Sequence, residues 1–345
     1  MSRRGEVLLA DLTTLRVGGP ARRLVEVTDP AEVPERLAEA AAAGEPVLVL
    51  GGGSNLVVAD DGFAGTVLRV AWRGIEVAAA DGEVRLRLAA GEPWDAVVEQ
   101  AVGQGWAGIE ALAGIPGLVG ATPIQNVGAY GQEVADSLAT VDVLDRESGE
   151  QVRLPAAACG FGYRTSRFKE EPDRFVVESV ELRLRAGAPS VPVRYAELAR
   201  VLGIAEGAPA PLAEVRDAVL DLRRSKGMVL DPADHDTWSA GSFFTNPVLA
   251  VGDADRLPAE APRWPLADGR VKTSAAWLIE RSGMGRGWGG ELTGGRATLS
   301  TKHPLAVTNR GGATASDVVT VAHAVQAEVH TRFGIHLTPE PTLLL

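Results

Sequence analysis

The sequence of 345 residues predicts an α+β chain of two or three domains. Three observations carry that prediction. A short, wholly apolar run, Pro46-Val-Leu-Val-Leu50, follows an Ala- and Glu-rich stretch and ends in three glycines, the texture of an α/β unit. Between about Thr66 and Arg185 several runs, Val84–Leu88 and Phe175–Arg185 among them, alternate apolar and polar residues, the pattern of antiparallel strands. Near the end a helical period returns in Val318, Ala322, Val325, Val329 and Phe333.

Taken in order, Asp29-Pro30 supplies an N-cap and a first-turn proline, and the helix it opens runs to about Ala43, where Gly44 closes it. Pro46–Leu50 reads as a strand buried on both faces. It runs into Gly51-Gly-Gly-Ser-Asn55 and on to apolar Leu56–Val58. Val67–Val70, Ile75–Val77 and Val84–Leu88 read as strands, with Asp81-Gly82 as a hairpin turn. Trp94, Val97, Val98, Ala101 and Val102 repeat at helical spacing. Val141–Leu144 and Gln151–Leu154 flank a second hairpin at Ser148-Gly149, and Phe175–Arg185 is a long strand. Residues 186–211 read as a connection, and a helix from about Leu212 ends at Arg223-Arg-Ser-Lys226-Gly227. The last helix starts with Ser316-Asp317 as its cap and stops at Gly334, and the tail Ile335–Leu337 and Leu343–Leu345 is strand-like.

Composition narrows the function classes. Hydrophobic residues make up 46% and charged residues 23%, which excludes disordered and fibrous chains. The net charge of −11, with no concentrated basic patch, argues against a nucleic-acid partner. Cys159 is the single cysteine, so an intramolecular disulfide and a cysteine-rich zinc site are both excluded. No apolar run reaches the ~18 residues that span a bilayer. The opening segment Met1–Leu12, with Arg3 and Arg4, has too short an apolar run for a signal peptide. A cytoplasmic protein without membrane insertion is expected.

The 40 glycines are bunched, at 51–53, at 114–131 and at 283–290, where backbone must turn left-handed or approach a ligand. Neither the P-loop nor the dinucleotide fingerprint is present. Gly51–Asn55 is either an anion-binding nest of N–H groups or a plain turn. The segment Gly114-Ile-Pro-Gly-Leu-Val-Gly120-Ala-Thr-Pro-Ile-Gln-Asn126-Val-Gly-Ala-Tyr-Gly131 carries Ile115, Leu118, Val119, Ile124 and Val127, so it is expected to be buried. Buried irregular backbone needs partners, which a flat aromatic cofactor with a diphosphate, or a glycine-packed core, would provide. His323, His330 and His336 have no metal-ligand spacing, and no metal is expected. Asp231–Asp236 lacks calcium-loop spacing and reads as a solvated loop. Arg223, Arg224 and Lys226 stabilise a helix end or read a phosphate. Glu340, between Pro339 and Pro341 in an apolar tail, is expected to be buried, and so either paired with a cation or raised in pKa. Ser242 has no adjacent histidine and reads on composition as a turn residue.

Taken together in order, these motifs resemble the flavin-dependent UDP-N-acetylenolpyruvoylglucosamine reductases (MurB). The resemblance runs through Thr14-Leu-Arg-Val-Gly-Gly-Pro20, Gly51-Gly-Gly-Ser-Asn-Leu56, the 114–131 segment, Tyr163-Arg-Thr-Ser-Arg-Phe-Lys169, Arg223-Arg-Ser-Lys226 and Ala240-Gly-Ser-Phe-Phe-Thr-Asn-Pro247. Ala276-Trp-Leu-Ile-Glu280 and Leu337-Thr-Pro-Glu340 complete it, so it covers nearly the whole chain. It implies a PCMH/VAO-type two-lobed FAD-binding domain and a C-terminal α+β substrate-binding domain. The first lobe would span 1–70 with 334–345 and the second 71–228, with the FAD-binding region at about 16–187; the substrate domain would span 229–333. The apolar tail after Gly334 would return to the first lobe.

The resemblance implies NADPH as reductant and non-covalent FAD. The FAD would be held by Gly51, Gly52, Gly53, Ser54, Asn55, Gly117, Gly120, Thr122, Asn126, Gly128, Ala129, Tyr130, Gly131 and Arg223. Arg164 and Glu340 would stabilise an enolate, and Ser242 would protonate it. Tyr195, Lys226, Asn246 and His303 would hold the UDP-sugar, with Tyr195 pointing to the branch with a tyrosine-bearing (type I) loop. Two departures stand out. The Asp231–Asp236 loop adds a few residues between Lys226 and Ser242, and His303 stands where some relatives have glutamine. A monomer is expected. The rivals are another non-covalent flavin oxidoreductase of the same fold and a non-catalytic nucleotide-sugar binder. An oxidase tethered through an N-terminal histidine is not available, since all five histidines lie at 235 or beyond.

Overall fold

The computed structural model describes residues 7–345; residues 1–6, with Arg3 and Arg4 of the opening segment, lie outside the described residues. The described chain forms two compact units. One is Arg22–Gly52 with Ala64–Ser225; the other is residues 7–21, Gly53–Phe63 and Lys226–Leu345. The chain passes from one to the other inside the Gly51–Asn55 loop.

The unit containing Ala64–Ser225 is built on two sheets. The smaller has the strand order Ala21–Val27, Phe63–Val70, Val47–Leu50, with the last two parallel. The helix Val33–Ala42 leads into it. Asp29 accepts the Ala31 N–H at 2.9 Å, and Gly44 ends the helix with φ +64°. Val47–Leu50 was expected to be buried on both faces. It lies at the sheet edge with one partner, and only Leu50 is buried.

The larger sheet is antiparallel, in the order Gln151–Pro155, Leu138–Asp145, Phe175–Ala186, Glu83–Ala89, Ile75–Ala80. Val84, Leu86 and Leu88 face the core with Val180, Leu182 and Leu184, as period-two alternation requires. On the outer face Asp142 stands opposite both Arg153 and Ser179 and accepts from each, and from Arg87 at 2.8 Å. Asp81 and Gly82 both take positive φ, 52° and 81°, the two-residue turn their sequence predicts. The Ile75–Val77 alternation, by contrast, faces no core, because it lies in the exposed edge strand Ile75–Ala80.

Residues 186–211 are more than a connection: Ala196–Leu202 is helical, closed by left-handed Gly203. The missed signal is the apolar spacing of Leu198, Ala199 and Leu202 among many small residues. Glu110, 1% exposed, fastens the start of this stretch by accepting the N–H groups of Gly108 and Val191, each at 2.7 Å.

In the other unit the helix Ala315–Phe333 buries Val318, Val321, Val325 and Val329 against Phe243, Phe244, Leu278, Ile279, Leu299 and Val307. Its cap is Thr314, two residues before the expected Ser316-Asp317. Asp317 is the third residue of a capping box: Thr314 and Asp317 exchange bonds of 3.0 Å, and Asp60 accepts the N–H groups of Ala315 and Ser316. Gly334 stops the helix at φ +69°. Of the two tail segments only Thr342–Leu344 is a strand, parallel to Leu56–Val58; Ile335 and Leu337 are buried without pairing.

Arg296 makes two bonds to Asp317, at 2.8 and 2.7 Å, and with the cap it holds this carboxyl at a pKa of about 2. A depressed carboxyl stabilises the fold above its ordinary value near 3.8 and loses that contribution as pH falls toward 2. Asp317→Asn is therefore expected to lower stability by about 1–2 kcal/mol at neutral pH, the half-exposed Arg296 limiting the value. Thermal melts should show that gap closing between pH 4 and pH 2.

Among the described residues no helix is long and apolar enough to cross a membrane, and no cluster of His, Cys, Asp and Glu is placed to hold a metal ion. Cys159 is buried and free, its thiol pushed up to about 11 by burial.

Candidate active site

The sequence-derived residues fall into two groups, one in each unit. In the unit that ends the chain, the segment Ala240–Pro247 is anchored by its aromatic pair. Phe243 and Phe244 are fully buried, with ring centroids 5.3 Å apart, and Gly241 turns left-handed just before them at φ +74°. Ser242 is held between that turn and the anchor. Phe243 is bonded on both sides. Its N–H donates to the Leu305 carbonyl at 2.7 Å, and its carbonyl accepts the Glu340 N–H at 2.9 Å. Phe244 bridges to Pro339, and the Thr245 N–H donates to the Thr338 carbonyl at 3.0 Å.

Leu305 belongs to the turn 300–306 that carries His303 and joins the strands Ala297–Leu299 and Val307–Asn309. Glu340 is held from its other side by the Asn55 amide, whose Nδ2 donates to the Glu340 carbonyl at 3.2 Å. The Thr342 N–H donates to the Asn55 carbonyl where the tail joins Leu56–Val58. Asn55, Ser242, His303 and Glu340, spread over 285 positions of sequence, are thus joined through main chain. Glu340 is half-buried rather than buried as expected.

Asn246 and Lys226 are placed by other means. The Asn246 amide oxygen accepts the Ala275 N–H at 3.0 Å, at the start of the helix Ala275–Arg281. Lys226 follows the helix Leu212–Ser225, and the adjoining Gly227 packs on Asp236. Gly53 adopts φ +59°, and a Cβ there would lie 2.0 Å from the Leu12 carbonyl oxygen, so neither the fold nor the conformation admits a side chain.

In the other unit, Gly51 and Gly52 follow the strand Val47–Leu50, and a Cβ on Gly52 would lie 2.7 Å from Gly117 Cα. At Gly120 a Cβ would lie 2.5 Å from that of Ala90. The segment after Gly114 is pinned by short backbone bonds: Trp94 N–H to Gly117, Val119 N–H to Glu92, Gly120 N–H to Ala90. Only Val119 of its five apolar residues is buried; Ile115, Leu118 and Val127 are half-buried and Ile124 is exposed. The expected burial of the segment holds at Val119–Gly120 and Thr122 and fails for Ile115, Leu118, Ile124 and Val127. A bed of touching glycine backbones edged by half-buried aliphatic side chains suits a flat, diphosphate-bearing group.

Two predicted cofactor residues prove internally committed. Thr122 donates its hydroxyl to the Val119 carbonyl at 2.8 Å. Asn126, at φ +45°, donates to Glu133 and Gly162 and accepts from Ala135. Arg164, itself at φ +53°, seats its guanidinium on the carbonyls of Asn126 and Gly128 and has its own carbonyl held by Lys169. Tyr130 and Gly131, both at positive φ, turn the hairpin Gly128–Ala129 to Gln132–Glu133. That turn brings the Tyr130 ring 5.4 Å from Tyr195, edge to face. Burial pushes the Tyr130 phenol up to about 12 and pushes the Arg223 guanidinium down; Tyr130 and Asp95 lie near enough to oppose the latter.

Asp236 was missed. Read as part of a solvated loop, it is 4% exposed, because Ser300, Thr301 and Arg310 all donate to it. Its partners lie at least 64 positions away, which no local pattern reveals.

Comparison with known proteins follows the same division. Residues 231–344 match the family model of the UDP-N-acetylenolpyruvoylglucosamine reductase C-terminal domain, and residues 21–155 match that of an FAD binding domain. The chain is 53% identical to the UDP-N-acetylenolpyruvoylglucosamine reductase of Saccharopolyspora erythraea, over 99% of this chain and 95% of that one. It is 52% identical to that of Thermobifida fusca, over 98% and 97%. Among solved structures it is similar to the reductase (MurB) of Thermus caldophilus, with TM-score 0.67, 28% identity and full coverage of both chains.

Proposed function

The chain belongs to the UDP-N-acetylenolpyruvoylglucosamine reductase family, and from that premise we propose that it reduces UDP-N-acetylglucosamine enolpyruvate to UDP-N-acetylmuramate. The reaction would serve peptidoglycan precursor synthesis in the cytoplasm, and so cell-wall growth, shape and division, with NADPH as reductant and a monomer as the working form. The observation that carries this reading is the double backbone tie of Phe243. It ties the residue after Ser242 to Glu340 and to the turn that carries His303, which a casual surface turn does not need.

A non-covalently bound FAD would supply the hydride chemistry for the vinyl CH2 carbon, with NADPH as the source of reducing equivalents. Gly51, Gly52, Gly53, Ser54, Asn55, Gly117, Gly120, Gly128, Ala129, Tyr130, Gly131 and Arg223 would hold it. Thr122 and Asn126, whose side chains are engaged internally, would act by shaping the backbone. As the vinyl carbon is reduced, charge moves toward the substrate carboxylate as an enolate. Arg164, through its guanidinium, and Glu340 would stabilise it. Ser242 would then give its proton to the neighbouring carbon, since an enolate carbon is basic enough to accept one from a hydroxyl. Tyr195, Lys226, Asn246 and His303 would bind the UDP-sugar. For Asn246 this leaves its Nδ2 group, the oxygen being bonded to Ala275. Tyr195 beside Tyr130 supports the tyrosine-loop branch. The three-part division at about residues 70, 228 and 333 is part of the same proposal.

The purified protein is expected to show a flavin spectrum that passes wholly into the supernatant on denaturation, that bleaches with NADPH, and that recovers with the enolpyruvyl substrate. Flavin retained in the precipitate would favour a covalent oxidase. A colourless protein that takes up no FAD would favour a nucleotide-sugar binder.

A further inference from the structure

We propose that Asp236 is a positioning residue whose buried carboxylate fixes the His303 turn and so sets the enzyme's grip on the UDP-sugar; this rests on the substrate role given to His303 above. Asp236 Oδ1 accepts from the Ser300 hydroxyl at 2.8 Å, the Thr301 N–H at 2.7 Å and Arg310 at 3.0 Å, while Oδ2 accepts from the Thr301 hydroxyl at 2.5 Å. The Ser300 oxygen in turn accepts the N–H groups of Lys302 at 3.0 Å and His303 at 3.1 Å. Two hydrogen bonds therefore separate the Asp236 carboxylate from the main chain of His303. A second clamp lies alongside, where Lys302 donates to Asp234 at 2.5 Å.

The residue itself and its chain neighbours lie beside two further substrate segments. A Cβ on Gly227 would lie 3.0 Å from the Asp236 carbonyl oxygen and 3.1 Å from its Cβ, so the residue after Lys226 rests on Asp236. Downstream, Trp238 and Ser239 pair with Asn309 and Thr308, and the Ser239 hydroxyl accepts the Gly241 N–H, one residue before Ser242. The loop that departs from the family pattern thus supports Lys226, Ser242 and His303 from one point.

Burial alone would raise the Asp236 pKa, but the bonds from Thr301 and Ser300 lower it, so the group stays ionised. A purely space-filling role would be served as well by an apolar side chain, since a buried charge is poor value for stability alone. What the carboxylate adds is direction. It orders four donors around the turn, and a displacement of about 1 Å in a substrate-positioning element can cost about 100-fold in rate or binding.

The test is a double-mutant cycle on the full-length flavoprotein. Ser300→Ala removes the relay while leaving the Asp236 bonds to Thr301 and Arg310 in place. It is expected to raise KM for the enolpyruvyl substrate about tenfold, with kcat and flavin reduction by NADPH within about twofold. Asp236→Asn should shift KM in the same direction, and Ser300→Thr, which keeps the hydroxyl, should restore it. Added to His303→Ala, Ser300→Ala should cost less than about twofold more, because both act through one group. An unchanged KM with a lowered Tm, or fully additive losses, would overturn the proposal. Failure of the parent reading would look different: the unaltered enzyme would not oxidise NADPH with this substrate. If Asp236→Asn does not fold, the Ser300 arm decides alone.

Discussion

Ser242→Ala is expected to slow reduction of the enolpyruvyl substrate by about 10²–10⁴-fold, the range associated with removing a general acid. FAD content and the rate of flavin bleaching by NADPH should be unchanged. The separation follows from the site's construction. Ser242 lies between left-handed Gly241 and the Phe243 anchor, and the backbone of Phe243 and Thr245 bonds this stretch to Leu305, Glu340 and Thr338. Truncating the hydroxyl leaves those backbone bonds intact, so the loss should fall on proton delivery alone. Stopped-flow measurement of the two half-reactions separates the cases. A variant with normal reoxidation by substrate would remove Ser242 from the chemistry, and one slowed equally in both halves would mark the serine as structural.

Gly52→Ala should weaken FAD binding by about 100-fold while far-UV circular dichroism stays native. The added methyl would lie 2.7 Å from Gly117 Cα and 3.3 Å from its carbonyl carbon, both backbone atoms that cannot swing aside. The two glycine loops must part by several tenths of an ångström, and the bed they form widens with them. Gly44→Ala is the control. It also substitutes a glycine, at φ +64°, but meets no atom within 4 Å and lies outside the bed, so it should cost some stability and leave FAD content unaltered. Equal FAD retention in both variants would show that the close approach of 52 and 117 has no part in holding the cofactor.

Where side-chain period and turn chemistry act locally, the sequence was a sound guide. Asp29-Pro30, Asp81-Gly82, Ser148-Gly149 and Gly334 all mark real boundaries, because a cap or a positive φ is a property of a few adjacent residues. It erred where neighbours in space decide. Val47–Leu50 is apolar enough for a central strand yet ends a sheet, and Ile75–Val77 alternates yet faces no core, since strand order is not written in either run. The helix Ala196–Leu202 was hidden by small residues that suit a linker equally well.

The candidate site divides in the same way. Ser242, Glu340, Arg164 and the glycine bed were legible as residue types in specific motifs, and the family assignment follows from their order along the chain. Asp236 was not legible, because burial turns an ordinary acidic loop into a hub only when Ser300, Thr301 and Arg310 arrive from far along the chain. The sequence by itself determined the α+β class, the local elements with their caps and turns, and the chemistry available to the site. Tertiary structure alone decided that Phe243 ties the His303 turn to Glu340 and that an aspartate lies beneath. Those bonds join segments tens to hundreds of residues apart, and hydrogen bonds of that range are selected by packing of the whole chain rather than by any local preference.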